Sequence, residues 1–125
     1  MKTLKTDKAP PAIGPYSQGK ISGGVMYLSG QIALDVSGKN LVGEDAAAQT
    51  RQVMENITAL LSAEGRDFSN VLKTTIYLTK MDDFAKMNEV YAAYFSGHPP
   101  ARSTVAVSEL PRGAVVEIEC IVDMN

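Results

Sequence analysis

Apolar residues repeat along this chain with two different periods, which separate predicted helices from predicted strands. Between Asp45 and Glu64 they recur every three or four positions, which predicts an amphipathic helix capped by Asp45. A second helix is predicted over residues 84–95, after a cap at Asp82 or Asp83. The stripes that define them are Thr50, Val53, Met54, Ile57, Leu60 and Leu61 in the first helix, and Phe84, Met87, Tyr91, Tyr94 and Phe95 in the second.

Segments that alternate or are rich in β-branched residues predict strands on either side of these helices. Residues 71–79 contain many β-branched side chains, and residues 102–108 and 115–123 alternate between two phases. Two shorter strands are predicted near the start of the chain, one over 25–30 and another that begins at 31–33.

The alternation also predicts which strand faces are buried. Leu72, Ile76 and Leu78 are expected to share one face, with Thr74 between them. In the last strand the apolar phase is Val116, Ile118, Cys120 and Val122, and the opposite phase is Val115, Glu117, Glu119 and Ile121. Because the helices are expected to cover the apolar phase, the other face of the sheet must be solvated or meet another subunit.

The predicted elements follow one another as strands, helix, strand, helix and strands. This order predicts an α+β fold in which a single mixed sheet carries two helices on one face. A length of 125 residues corresponds to one domain over 1–125, long enough to bury a core without disulfides or metals.

Charge and composition exclude several classes of function. Twelve basic and 14 acidic residues give a net charge of −2, and the basic residues form no stripe, so we expect no nucleic-acid partner. No apolar run approaches the roughly 20 residues that span a bilayer, and the start of the chain does not resemble a secretory signal. The single cysteine cannot form an internal disulfide, which favours a reducing cytoplasm. One cysteine and one histidine cannot supply a typical zinc site, so no metal is expected.

The last two predicted strands contain the first candidate chemistry. If these strands pair, Arg102, Thr104 and Glu117 lie close together on the face that the helices do not cover. A guanidinium fork suits a small carboxylate, and a nearby glutamate can orient water. The alternative is a surface salt bridge between Arg102 and Glu117, which is common and contributes little to stability.

Three further residues have equally open interpretations. Asn88 lies on the aromatic stripe of the second helix, where it either bonds to a loop or contacts a ligand. Tyr16 lies in the glycine- and proline-rich segment 9–19, an expected ordered loop, and either packs on the body or covers a pocket. Gly30 ends a strand, where the lack of a Cβ permits close approach of another group. Cys120 is expected to be an inert buried thiol.

Four segments together resemble one known family. AIGPYSQG at 12–19, SGQI at 29–32, DFAKMNEVYAAYF at 83–95 and PARSTVAVSELPRGAVVEIE at 100–119 resemble, in this order, the RidA/YjgF family of reactive intermediate deaminases. The resemblance runs almost from end to end. Its most specific part is PARS followed by EIE.

The resemblance implies a chorismate-mutase-like α+β fold and a homotrimer with sites between subunits. It implies hydrolysis of 2-aminoacrylate-derived enamine or imine acids to 2-keto acids and ammonia, without a cofactor, as in 2-iminobutanoate/2-iminopropanoate deaminases. The carboxylate-binding arginine corresponds to Arg102 and the water-orienting glutamate to Glu117. The substrate-binding tyrosine, glycine and asparagine correspond to Tyr16, Gly30 and Asn88.

Two features depart from the family pattern. Thr104 stands where the best-known members have cysteine, so no thiol-dependent step is expected, and Thr104 offers its backbone and hydroxyl to the substrate. The loop SGHPP at 96–100 is shorter than in some members, which affects the pocket rim and the size of substrate. Two other classes stay open: a non-catalytic regulatory protein that binds small carboxylates such as 2-keto acids, and a ribonuclease or translation inhibitor, which the acidic charge disfavours.

Overall fold

The computed structural model describes all 125 residues and consists of one six-stranded sheet with two helices on one face. The strand order across the sheet is β1-β2-β3-β6-β4-β5, and all pairs are antiparallel except β4 with β5. The elements are β1 (Lys2–Leu4), β2 (Gly19–Ser22), β3 (Val25–Gln31), α1 (Ala46–Ser62), β4 (Val71–Leu78), α2 (Phe84–Ala92), β5 (Ala101–Ala106) and β6 (Val116–Asp123).

The two helices form where the 3.6-residue period predicts them. Asp45 caps α1 by accepting a hydrogen bond from the Ala48 amide at 2.8 Å, as expected. The second helix ends at Ala92, three residues earlier than predicted, and neither Asp82 nor Asp83 caps it with its side chain. No helix is both long and apolar enough to cross a bilayer.

The core lies between the helices and one face of the sheet. The predicted apolar phase of β6 is buried there, together with the inward stripe of α1 and with Met87 and Tyr91 of α2. Burial of this continuous apolar layer is the main stabilising contribution to the fold. The predicted α+β architecture, with both helices on one face, is confirmed.

The observed strands differ from the predicted ones in three details. The strands β1 and β2 were not predicted, because they are three and four residues long and mostly polar. Residues 31–33 do not start a separate strand, since β3 runs on to Gln31 and the chain then leaves the ladder. Leu72 is 49% exposed, because a bulge between Val71 and Lys73 removes it from the buried phase.

The order of strands corrects one further expectation. The last two strands do not pair, because β4 lies between β5 and β6. The chain leaves β4, forms α2 and returns as β5, which runs parallel to β4 at the edge of the sheet. A parallel neighbour requires such a crossover, whereas a hairpin would have placed β5 beside β6.

Candidate active site

Arg102 and Glu117 lie on opposite faces of the sheet within one chain. Arg102 is the register partner of Thr74, whose side chain is buried beneath α2, so the arginine is on the helix side. Glu117 is the register partner of Tyr77 on the uncovered face. The expected convergence of Arg102, Thr104 and Glu117 within one chain is therefore wrong, and so is a direct salt bridge between the two charged residues.

Arg102 is held at the edge of the sheet by side chains of α2. Its Nη1 donates a hydrogen bond to Oδ1 of Asn88 at 2.6 Å. Its Cζ lies 5.4 Å from the ring centroid of Phe84 and 5.2 Å from that of Tyr91, within the range of cation–π attraction. Residues 84, 88 and 91 share one side of the helix, which explains why all three reach the same guanidinium.

A cavity of about 500 Å³ opens beside this guanidinium, and we call it the arginine pocket. Arg102 makes no other side-chain hydrogen bond, so most of its five N–H donors remain available to an anion. Its geometry suits two-pronged binding of a carboxylate against an aromatic wall. The lining residues are Asn88, Tyr91, Ala92, Phe95, Pro99, Pro100 and Arg102.

The buried end of Tyr91 fixes α2 to the sheet below this pocket. The Tyr91 hydroxyl and Thr74 Oγ1 are 2.7 Å apart and form a buried hydrogen bond. Burial raises the pKa of Tyr91, so the phenol stays protonated at neutral pH. Asn88, which the family resemblance assigns to the substrate, accepts a hydrogen bond from Arg102 and also lines the arginine pocket.

Thr104 follows Arg102 on the same side of β5 but does not line the arginine pocket. Its hydroxyl is buried and has no hydrogen-bond partner within the chain. A buried hydroxyl of this kind is uncommon, since most buried polar groups are paired. The contact of Thr104 with a substrate stays a prediction.

The uncovered face of the sheet contains a second cavity, of about 680 Å³, which we call the glutamate pocket. Tyr16, Gly30 and Glu117 all line it, so three of the predicted site residues meet here. Glu119 and Arg112 also line it, although the sequence patterns gave them no role. Glu119 could have been found from its phase, since it is two residues from Glu117 on the same strand face.

Glu117 lies directly over Gly30. A Cβ built on Gly30 would overlap Oε2 of Glu117 and would come within 2.9 Å of its Cδ. Gly30 thus makes room for the carboxylate at a point where β3 and β6 shift register. Burial, with a smaller contribution from the charge of Glu119, raises the pKa of the Glu117 carboxyl.

The loop that carries Tyr16 is ordered, as predicted. A buried glutamine holds it in place. Gln18 accepts a hydrogen bond from the Thr6 amide at 2.8 Å and donates to the carbonyls of Thr6 and Pro10 at 3.1 and 2.8 Å. The Tyr16 ring is exposed at the rim of the glutamate pocket. It is therefore placed to cover a ligand and does not pack into the core.

Each pocket lacks a group that the other supplies. The arginine pocket has a cation for a carboxylate but no acid or base beside it. The glutamate pocket has a base, but its only arginine, Arg112, donates to the carbonyls of Gly38 and Lys39 at 3.2 and 2.6 Å. A reaction that needs both groups requires a second copy of the chain.

Comparison with known proteins places the chain among relatives of similar length. Residues 6–124 match the family model described as Endoribonuclease L-PSP. The protein DfrA of Myxococcus xanthus is 54% identical over 122 residues, which cover 96% of this chain and 93% of the relative. The 2-iminobutanoate/2-iminopropanoate deaminase of Mus musculus is 47% identical over 120 residues, covering 96% and 89%.

Solved structures agree with these relatives. RidA from the Antarctic bacterium Psychrobacter sp. PAMC 21119 superimposes with a TM-score of 0.93 at 45% identity, covering 98% of this chain and 99% of that one. TdcF of E. coli, solved with bound serine, superimposes with a TM-score of 0.93 at 37% identity and covers all of both chains.

Proposed function

Because the chain belongs to the endoribonuclease L-PSP family, which contains the RidA and YjgF proteins, we propose that it is an imine deaminase. Its substrates are short 2-imino acids and their enamine forms, such as those derived from 2-aminoacrylate. Its products are 2-keto acids and ammonia. The observation that carries the proposal is the division of one complementary set of groups, Arg102 and Glu117, between two separate pockets.

Assembly of copies joins the two pockets. When the edge strand of one copy meets the open face of the next, the arginine pocket of the first lies beside the glutamate pocket of the second. Such a contact joins two different surfaces, so it repeats until a ring closes. A ring of three follows the family resemblance, and it covers Tyr27, Leu72 and Val105, which are exposed apolar side chains of the single chain.

In the assembled site, Arg102 binds the substrate carboxylate and fixes the position of C2. This contact is charge-assisted and two-pronged, so it orients the imine as well as holding it. Glu117 of the partner subunit holds a water molecule beside C2 of the protonated imine. It accepts a proton from this water while the C–O bond forms and the C=N π electrons move to nitrogen. The product of this step is a carbinolamine.

The second step returns the proton. Glu117 of the partner subunit donates it to the amino group and then accepts the proton of the carbinolamine hydroxyl as the C–N bond breaks and the keto group forms. The departing ammonia takes up this last proton and leaves as ammonium, which restores the carboxylate. The raised pKa of this carboxyl suits both directions of transfer. Imines already hydrolyse in water, so orientation and one acid/base group supply the modest acceleration required.

The test is ammonia release from imines generated in place by a threonine dehydratase. The parent is expected to accelerate release, and Glu117→Gln to lower kcat by about 10²–10⁴-fold while 2-keto acid binding is kept. The matched control is Glu109→Gln, which changes an exposed glutamate outside both pockets and should keep parental rates. Near-normal turnover in Glu117→Gln would mean that water is activated elsewhere.

A second function is supported by the arginine pocket alone. A carboxylate bound there without hydrolysis makes the protein a small-molecule sensor, and the serine bound to TdcF is itself a carboxylate. Tight 2-keto acid binding by a parent that releases no ammonia would favour this function over the deaminase.

A further inference from the structure

Glu119 is the one acidic group that shares the glutamate pocket with Glu117. The two residues are separated by one position on β6, so their side chains stand on the same face about 6–7 Å apart along the strand. Placing two carboxylates in one partly buried pocket is unfavourable unless something holds them there.

Tyr77 holds Glu119 in this position. Its hydroxyl donates a hydrogen bond to Oε1 of Glu119 at 2.8 Å, although its own register partner on β6 is Glu117. This bond, burial and the charges of the two glutamates raise the pKa of Tyr77, so the phenol remains a donor. Tyr77 is thus the register partner of one glutamate and the hydrogen-bond donor to the other.

No cation of the chain forms an ion pair with either glutamate. Arg112 points its guanidinium at main-chain carbonyls, and the one ion pair of the protein joins Lys2 to Glu64 elsewhere. Tyr16 lines the glutamate pocket from the loop over residues 9–19. The other titratable groups that β1–β6 place on this face, further along the sheet, are Lys20 of β2, Tyr27 of β3, Lys73 of β4 and Asp123 of β6.

In the assembled site, the charge of Glu119 affects how strongly Glu117 acts as a base. Arg102 of the partner subunit brings a positive charge toward Glu117, and a nearby cation makes a carboxylate a weaker base. The fixed negative charge of Glu119 opposes that effect. Glu117 can then still take up a proton from water and release it to the departing nitrogen.

We propose that Glu119, held by Tyr77, is a positioning residue that keeps Glu117 basic enough to carry the proton through both steps. This role rests on the proposed imine hydrolysis and acts only through Glu117. Glu119 touches neither the substrate nor the water in this scheme. Glu117, Glu119 and Tyr77 together then control proton transfer in the site.

The test is the pH dependence of kcat/KM for imine hydrolysis. Glu117 must be ionised to act as a base, so activity falls as pH drops through its pKa. Removing the charge of Glu119 lowers that pKa, so Glu119→Gln is expected to move the acidic limb down by about 0.5–1 pH unit. Glu119→Asp, which keeps the charge, should restore most of the parental limb.

Asp123→Asn is the matched control. It also removes one negative charge from the same face of β6, but at a position about 20 Å from Glu117 along the strand, so the limb should not move. Superimposable profiles for the parent and Glu119→Gln would contradict the role of Glu119. An equal shift in Asp123→Asn would also contradict it, because the effect would then be one of net charge.

Carboxyl ¹³C NMR separates this inference from the proposed function and does not depend on turnover. The Glu117 resonance, assigned by its loss in Glu117→Gln, should titrate at a lower pH in Glu119→Gln than in the parent. If imine is hydrolysed but the titration is unchanged, the role of Glu119 is wrong and the deaminase stands. If the titration shifts but no variant releases ammonia, the deaminase is wrong and Glu119 has no catalytic role.

Discussion

Arg102 depends on side chains of α2 for its orientation, and this dependence makes it sensitive to a conservative change. Lysine keeps the charge but cannot present two parallel N–H groups or stack between two rings. Arg102→Lys is therefore expected to lower kcat/KM about 10- to 100-fold while the fold and the melting temperature are kept. Arg51→Lys, an exposed arginine on α1, is the control. Parental turnover in Arg102→Lys would rule out the carboxylate clamp.

Gly30 is the second sensitive position, because its missing side chain is the space that Glu117 occupies. Gly30→Ala should displace the Glu117 carboxylate and lower kcat by at least about tenfold, whereas 2-keto acid binding at the arginine pocket is kept. The control is a double-mutant cycle: in the Glu117→Gln background the same alanine should cost almost nothing further. Independent, additive losses would show that Gly30 acts in some other way, such as direct contact with substrate.

At the scale of elements, the Tyr91–Thr74 hydrogen bond joins α2 to β4 beneath the arginine pocket. Tyr91→Phe leaves the Thr74 hydroxyl buried without a partner, so we expect a loss of about 1–3 kcal/mol in the free energy of unfolding. Adding Thr74→Val removes the orphaned group and should recover part of that loss. Denaturant unfolding at fixed protein concentration measures both, and equal stabilities for the single and double variants would contradict the explanation.

Elements differed in how well the sequence predicted them, for physical reasons. The helix period of α1 extends over four turns and carries a capping aspartate, so it was predicted to within two residues at either end. The strands β1 and β2 are short and polar, and they form because β3 offers a partner edge to β2, which in turn pairs with β1. Leu72 matched the apolar pattern but lies in a bulge, a feature that depends on the register with β6.

In the whole molecule, the order of the strands determines which of the predicted site residues lie together, and the sequence pattern does not reveal that order. The alternation correctly placed Glu117 on the uncovered face, and Tyr16, Gly30 and Glu117 do line one pocket. Arg102 was expected beside them because consecutive strands often pair. The crossover through α2 instead put β5 at the far side of β4, and this separation is a non-local property that residue spacing does not encode.

We propose that each active site takes Arg102 from one copy and Glu117 from the next. The most direct test of this shared site mixes the impaired variants Arg102→Lys and Glu117→Gln, unfolds and refolds them together, and measures ammonia release from imine. In randomly mixed rings, about one site in four combines an intact arginine with an intact glutamate, so about a quarter of parental activity should return. Light scattering of the same sample should give the mass of a trimer. Mixed rings with no more activity than the separate variants would contradict a site shared between copies.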